Sequence, residues 1–100
     1  GCHYSWLLLP PTPDQRLSYA VADVVPATRW RELVRRLGLP DAQIERAEME
    51  ARPSFREAQY QMFQLWRQRQ GGAAPLQLVY RALRDMELNS CAEQLQERLQ

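Results

Sequence analysis

The stretch Pro26-Ala27-Thr28-Arg29-Trp30-Arg31-Glu32-Leu33-Val34-Arg35-Arg36-Leu37-Gly38-Leu39 constrains the chain most, because it spells one short helix with both ends marked. Pro26 stands near the entry, where a missing N–H costs nothing, and Thr28 is a candidate N-cap. Gly38 falls where a left-handed C-terminal residue is wanted, and Pro40 blocks continuation. Trp30, Leu33, Val34 and Leu37 recur at i, i+3, i+4 and i+7, one apolar stripe. Arg29, Arg31, Arg35 and Arg36 point away from it, against the single carboxylate of Glu32. The helix offers an aromatic anchor to a core and a guanidinium surface to something else.

The same punctuation repeats along the chain. Residues 1–14, ending Pro10-Pro11-Thr12-Pro13-Asp14, read as an extended linker or tail, with Tyr4, Trp6 and three leucines apolar enough to lie on the domain surface. Residues 15–100 then form the folded unit. Gln15–Val24 places Leu17, Ala20, Val21 and Val24 on one face. Asp41 is a candidate cap for a helix to about Ala51, with Ile44, Ala47 and Ala51 inward. Ser54, with Glu57 three residues on, reads as a capping box for the longest helix, to about Arg69. Its expected inner stripe is Phe55, Ala58, Met62, Leu65 and Trp66, with Tyr60 and Phe63 pointing elsewhere. Gly71-Gly72 breaks it. Pro75 opens a helix with Leu76, Val79, Leu83 and Met86 inward, and Asn89 can cap a last one holding Cys91, Leu95 and Leu99. No segment alternates with period two. The expectation is an all-α fold of six helices joined by short loops. Trp30, Leu33, Leu37, Ile44, Met62, Trp66 and Leu83 are its expected core anchors.

One hundred residues suffice for one modest core. No apolar run approaches the ~20 residues of a membrane span. Two cysteines, Cys2 and Cys91, make no disulfide framework and suggest a reducing setting. All 13 basic residues are arginines, which removes lysine chemistry and favours bidentate carboxylate pairing. Catalysis lacks a base: the one histidine, His3, lies in the tail, and Cys91 sits at helical spacing among apolar neighbours. No cofactor is implied. Gly1-Cys2-His3 offers metal ligands only if Gly1 is a true amino terminus.

Four arginines on one helix can track phosphates, so a helical nucleic-acid-binding domain is an alternative. Against it stand a net charge of only +1 and the acidic helix that follows, with Asp41, Glu45, Glu48 and Glu50. A basic surface from Arg29, Arg31, Arg35 and Arg36 beside an acidic one suits recognition of another charged domain. Single exposed pairs are worth about 0.2–1 kcal/mol, so clustering of copies would supply strength.

Val25-Pro26-Ala27-Thr28-Arg29-Trp30, followed by Val34-Arg35-Arg36-Leu37-Gly38-Leu39, resembles the second helix of death domains of the tumour necrosis factor receptor superfamily. Ile44-Glu45-Arg46, Gln59-Tyr60 with Met62, Trp66-Arg67-Gln68, Leu83 through Met86, Leu88, Cys91, Glu93 and Leu95 extend the likeness in order over residues 16–100. Two positions depart from it. Arg31 stands where relatives often carry Lys, and Glu32-Leu33 where they often carry Glu-Phe. The resemblance implies a six-helix antiparallel bundle of Greek-key arrangement without enzymatic activity. It also implies the cytoplasmic tail of a single-pass receptor, whose membrane helix lies outside this chain. The implied partner is the TNF-receptor-associated death-domain adaptor, bound by homotypic contacts alongside self-association, with apoptosis or NF-kappa-B activation as output. An adaptor-type death domain would make the same contacts from the opposite side.

Overall fold

The computed structural model describes residues 13–71 and 75–99, and those residues form six helices and no strand. They are α1 (Pro13–Val24), α2 (Ala27–Arg36), α3 (Asp41–Glu50), α4 (Phe55–Gln70), α5 (Pro75–Asp85) and α6 (Asn89–Leu99). The first helix begins two residues before the expected Gln15. Pro13 fits its first turn because that position lacks an intrahelical N–H bond anyway. The remainder of the expected linker, residues 1–12, lies outside the described residues.

The ends of α2 show why the chain turns where it does. Pro26, not Thr28, is the N-cap, with ψ at 138° and no side-chain cap. The proline ring fixes its φ at −58°, so the helix starts on the next residue and Thr28 falls inside the first turn, exposed. At the other end Gly38 takes a φ of +103°. Its N–H donates to the Arg35 carbonyl and that of Leu39 to the Val34 carbonyl, each at 3.0 Å. This is the paired closure that left-handed residues make, sealed by buried Val34 and Leu39. Leu37 is the C-cap residue and only half-buried, which corrects its place among the core anchors.

Asp41 is likewise not a cap: Pro40 holds that position and the Asp41 side chain turns to Arg35 instead. Ser54 does cap α4, its Oγ accepting from the Glu57 N–H at 3.2 Å. The reciprocal half of the expected box is replaced, since the Ser54 N–H donates to the Ala51 carbonyl at 2.9 Å. Asn89 is the first helical residue of α6, and the Leu88 carbonyl before it accepts from the Ala92 N–H at 3.1 Å.

The centre is α4, which packs against α1, α2 and α3. A helix covered on three sides buries more than one stripe. Phe63, expected outside, is fully buried and meets Trp66 edge-on with centroids 5.2 Å apart. Phe55, expected inside, begins the helix beyond its neighbours and is 39% exposed, while Leu65 and Leu76 are half-buried. Trp30, Leu33, Ile44, Met62, Trp66 and Leu83 are buried as expected, each at most 2% exposed. Around them α1 packs on α6, α5 on α6, and α2 on α5.

Candidate docking surface

The short turn at Gly38 and Pro40 brings α3 back beside α2, so the basic and acidic surfaces become one ridge. Arg31 grips Glu48 across the two helices, with Nη2 at 2.6 Å from both carboxylate oxygens and Nε at 3.2 Å from one. That carboxylate raises the Arg31 pKa, first through the hydrogen bond and then through its charge, with Glu45 and Asp41 adding to the field. Arg35 Nε meets Asp41 at 2.8 Å.

The other two arginines of α2 turn toward their own helix. Arg29 pairs with Glu32 at 3.1 Å and donates to the Met86 carbonyl at 3.4 Å, linking α2 to the end of α5. Arg36 reaches the same Glu32 at 3.5 Å. All four guanidiniums expected to face a partner therefore have carboxylates within the domain. On α3, Arg46 pairs with Glu50 at 2.9 Å. Glu45 makes no hydrogen bond or ion pair among the described residues and stands one turn from Met49, whose side chain is 68% exposed. Pairing leaves the ridge exposed but largely neutralised, with Glu45 and Met49 at its outer edge.

A second charged cluster escaped the sequence reading. Asp23 of α1 is shared by Arg56 of α4 at 2.8 Å and Arg98 of α6 at 3.3 Å, joining three helices. Arg56 also lies over the Tyr19 ring, 5.9 Å from its centroid, and Tyr19 stacks on Tyr60 at 5.4 Å. Gln15 Nε2 donates to the Tyr60 hydroxyl at 3.4 Å. Only the local spacing of Arg16, Tyr19 and Asp23 on one helical face hints at it in the sequence. Arg56 and Arg98 arrive from distant segments.

The family profile described as the Death domain matches residues 15–99, from the third residue of α1 to the last residue of α6. The chain belongs to the death-domain family. Among similar proteins, tumor necrosis factor receptor superfamily member 1A of Bos taurus is 48% identical over 97 residues, covering 90% of this chain and 21% of that protein. Member 25 of the same superfamily from Homo sapiens is 48% identical over 94 residues, with 94% and 21% covered. Member 10B of Mus musculus is 36% identical over 76 residues, with 76% and 20% covered. The chain thus spans about a fifth of the length of the curated relatives it matches. Death domains of these receptors are non-enzymatic signalling modules, and six helices without strands among the described residues agree with that fold. No helix among the described residues is long and apolar enough to cross a membrane.

Proposed function

We propose that this death domain is the intracellular signalling module of a tumour necrosis factor receptor-type protein, on the cytoplasmic side of the plasma membrane. It docks a death-domain adaptor, the TNF-receptor-associated one, and signals toward apoptosis and NF-kappa-B activation. The observation that carries this reading is the α2–α3 ridge. Its ion pairs are exposed, with Arg31 and Arg35 side chains each 53% accessible. Exposed pairs contribute little to folding and exchange readily for pairs across an interface. Arg35 and Arg36 then face the partner's carboxylates, while Asp41, Glu45, Glu48 and Glu50 face its cations, with Met49 as the apolar contact between them. A phosphate backbone is poorly served by the same ridge, because the carboxylates of Asp41, Glu45, Glu48 and Glu50 beside α2 repel it.

The test is Arg35→Glu combined with Arg36→Glu, assayed against the adaptor's death domain by calorimetry or surface resonance. Both side chains are about half exposed, so thermal unfolding should stay within a few degrees of the parent. Affinity should fall at least tenfold. Unchanged affinity in a folded variant removes the ridge as the docking surface.

A further inference from the structure

We propose that Tyr19 is a phosphorylation site and that Arg16, Arg56 and Arg98 receive the phosphoryl group it acquires. This rests on the intracellular placement above, where kinases and nucleoside triphosphate are present, and on nothing else in that reading. Tyr19 is the exposed tyrosine among the described residues, at 41%; Tyr60 and Tyr80 are half-buried. Its helix buries Leu17, Val21 and Val24 on the opposite side and leaves Arg16, Tyr19 and Asp23 outward.

The surroundings are unusual in their charge. Arg56 lies 5.9 Å from the ring centroid. Arg98 and Arg16 line the same groove as Tyr19, together with Asp23 and Leu99. Three guanidiniums thus stand around one carboxylate, which two of them share. Asp23 takes Arg56 and Arg98, and Arg16 makes no ion pair or hydrogen bond among the described residues. A phosphoryl group adds about −1.5 to −2 charge and three strong acceptor oxygens, which matches that excess and the forked donors around it.

The step is an ordinary phosphoryl transfer by a protein tyrosine kinase. The Tyr19 hydroxyl oxygen attacks the γ-phosphorus of the nucleoside triphosphate, and the bond to the β-phosphate oxygen breaks. Nucleoside diphosphate leaves and the phenolic proton passes to the kinase's base. On this chain the new dianion draws Arg56 and Arg98 from Asp23 and engages Arg16. The cluster of Arg16, Arg56, Arg98 and Asp23 then changes from net basic to near neutral, while the α2–α3 ridge is untouched.

The experiment uses the full chain carrying Tyr4→Phe, a broad-specificity tyrosine kinase and magnesium ATP, followed by peptide mapping. Phosphate should appear on Tyr19 at least tenfold faster than on Tyr60 or Tyr80. In 31P spectra the second ionisation of the phosphorylated chain should lie about one pH unit below the usual value near 6, as opposite charge nearby requires. Arg16→Ala, which breaks no hydrogen bond or ion pair among the described residues, should move it back upward without changing the melting temperature. The proposal is overturned if Tyr60 or Tyr80 is modified first or Tyr19 not at all. It fails equally if the 31P midpoint equals that of an unstructured peptide of the same sequence and ignores Arg16→Ala. Neither readout involves the adaptor, so failure of the docking reading would leave this result standing, and the reverse.

Discussion

Glu87 holds a backbone conformation that side chains resist. Its φ is +62°, and it stands after α5 where Gly38 stands after α2. The hydrogen bonds are the same: Glu87 N–H to the Arg84 carbonyl at 2.9 Å and Leu88 N–H to the Leu83 carbonyl at 2.8 Å. A left-handed L-residue costs roughly 1–2 kcal/mol, and glycine returns part of that as added freedom when unfolded. Glu87→Gly should therefore stabilise the domain by up to about 1 kcal/mol. For a domain of this size that raises the melting temperature by a few degrees. A lower melting temperature would mean that the Glu87 side chain contributes something its exposure does not suggest. The sequence marks one of these two turns with glycine and hides the other, because Met86-Glu87-Leu88 carries no turn residue.

At the scale of elements, helix number, order and most inward faces were legible, since Pro26, Gly38, Pro40, Ser54, Gly71 and Pro75 bound them. Faces on α4 were less so. A single stripe suits a helix with one neighbour, and α4 has three, so Phe63 is buried and Phe55 exposed against the stripe's pattern. The charged residues were legible as two surfaces but not as one ridge. Whether Arg31 meets Glu48 depends on how α3 folds back, which spacing along the chain does not encode.

Arg29 shows the consequence. Sequence position places it with the docking arginines, yet its contacts run to Glu32 and to the Met86 carbonyl at the end of α5. Its removal is a change in how α2 meets α5. Arg29→Ala should cost roughly 0.5–1.5 kcal/mol, the net worth of one hydrogen bond, and leave adaptor affinity within twofold of the parent. Urea unfolding and the same binding assay check both halves. If affinity drops with stability unchanged, Arg29 belongs with Arg35 and Arg36 after all.

For the whole molecule the distinctive feature is a charge set of 13 arginines and 12 carboxylates with no lysine. Arginines stay protonated through any ordinary pH range. For Arg31 the sign is clear: Glu48 raises its folded pKa, so the stability this gives is present below the unfolded value wherever Glu48 is ionised. It is lost only as pH rises through the folded value, above the ordinary arginine range. On the alkaline side, then, no basic side chain discharges before phenols begin to ionise near pH 10. On the acid side, protonating the carboxylates breaks the pairs at Asp23, Glu32, Asp41, Glu48 and Glu50 and leaves the guanidiniums to repel one another. The melting temperature should be flat within about 3 °C from pH 7 to 9.5. Calorimetric scans across that range decide it. A drop of ten degrees or so by pH 9.5 would show that a group other than the arginine pairs carries stability across that range.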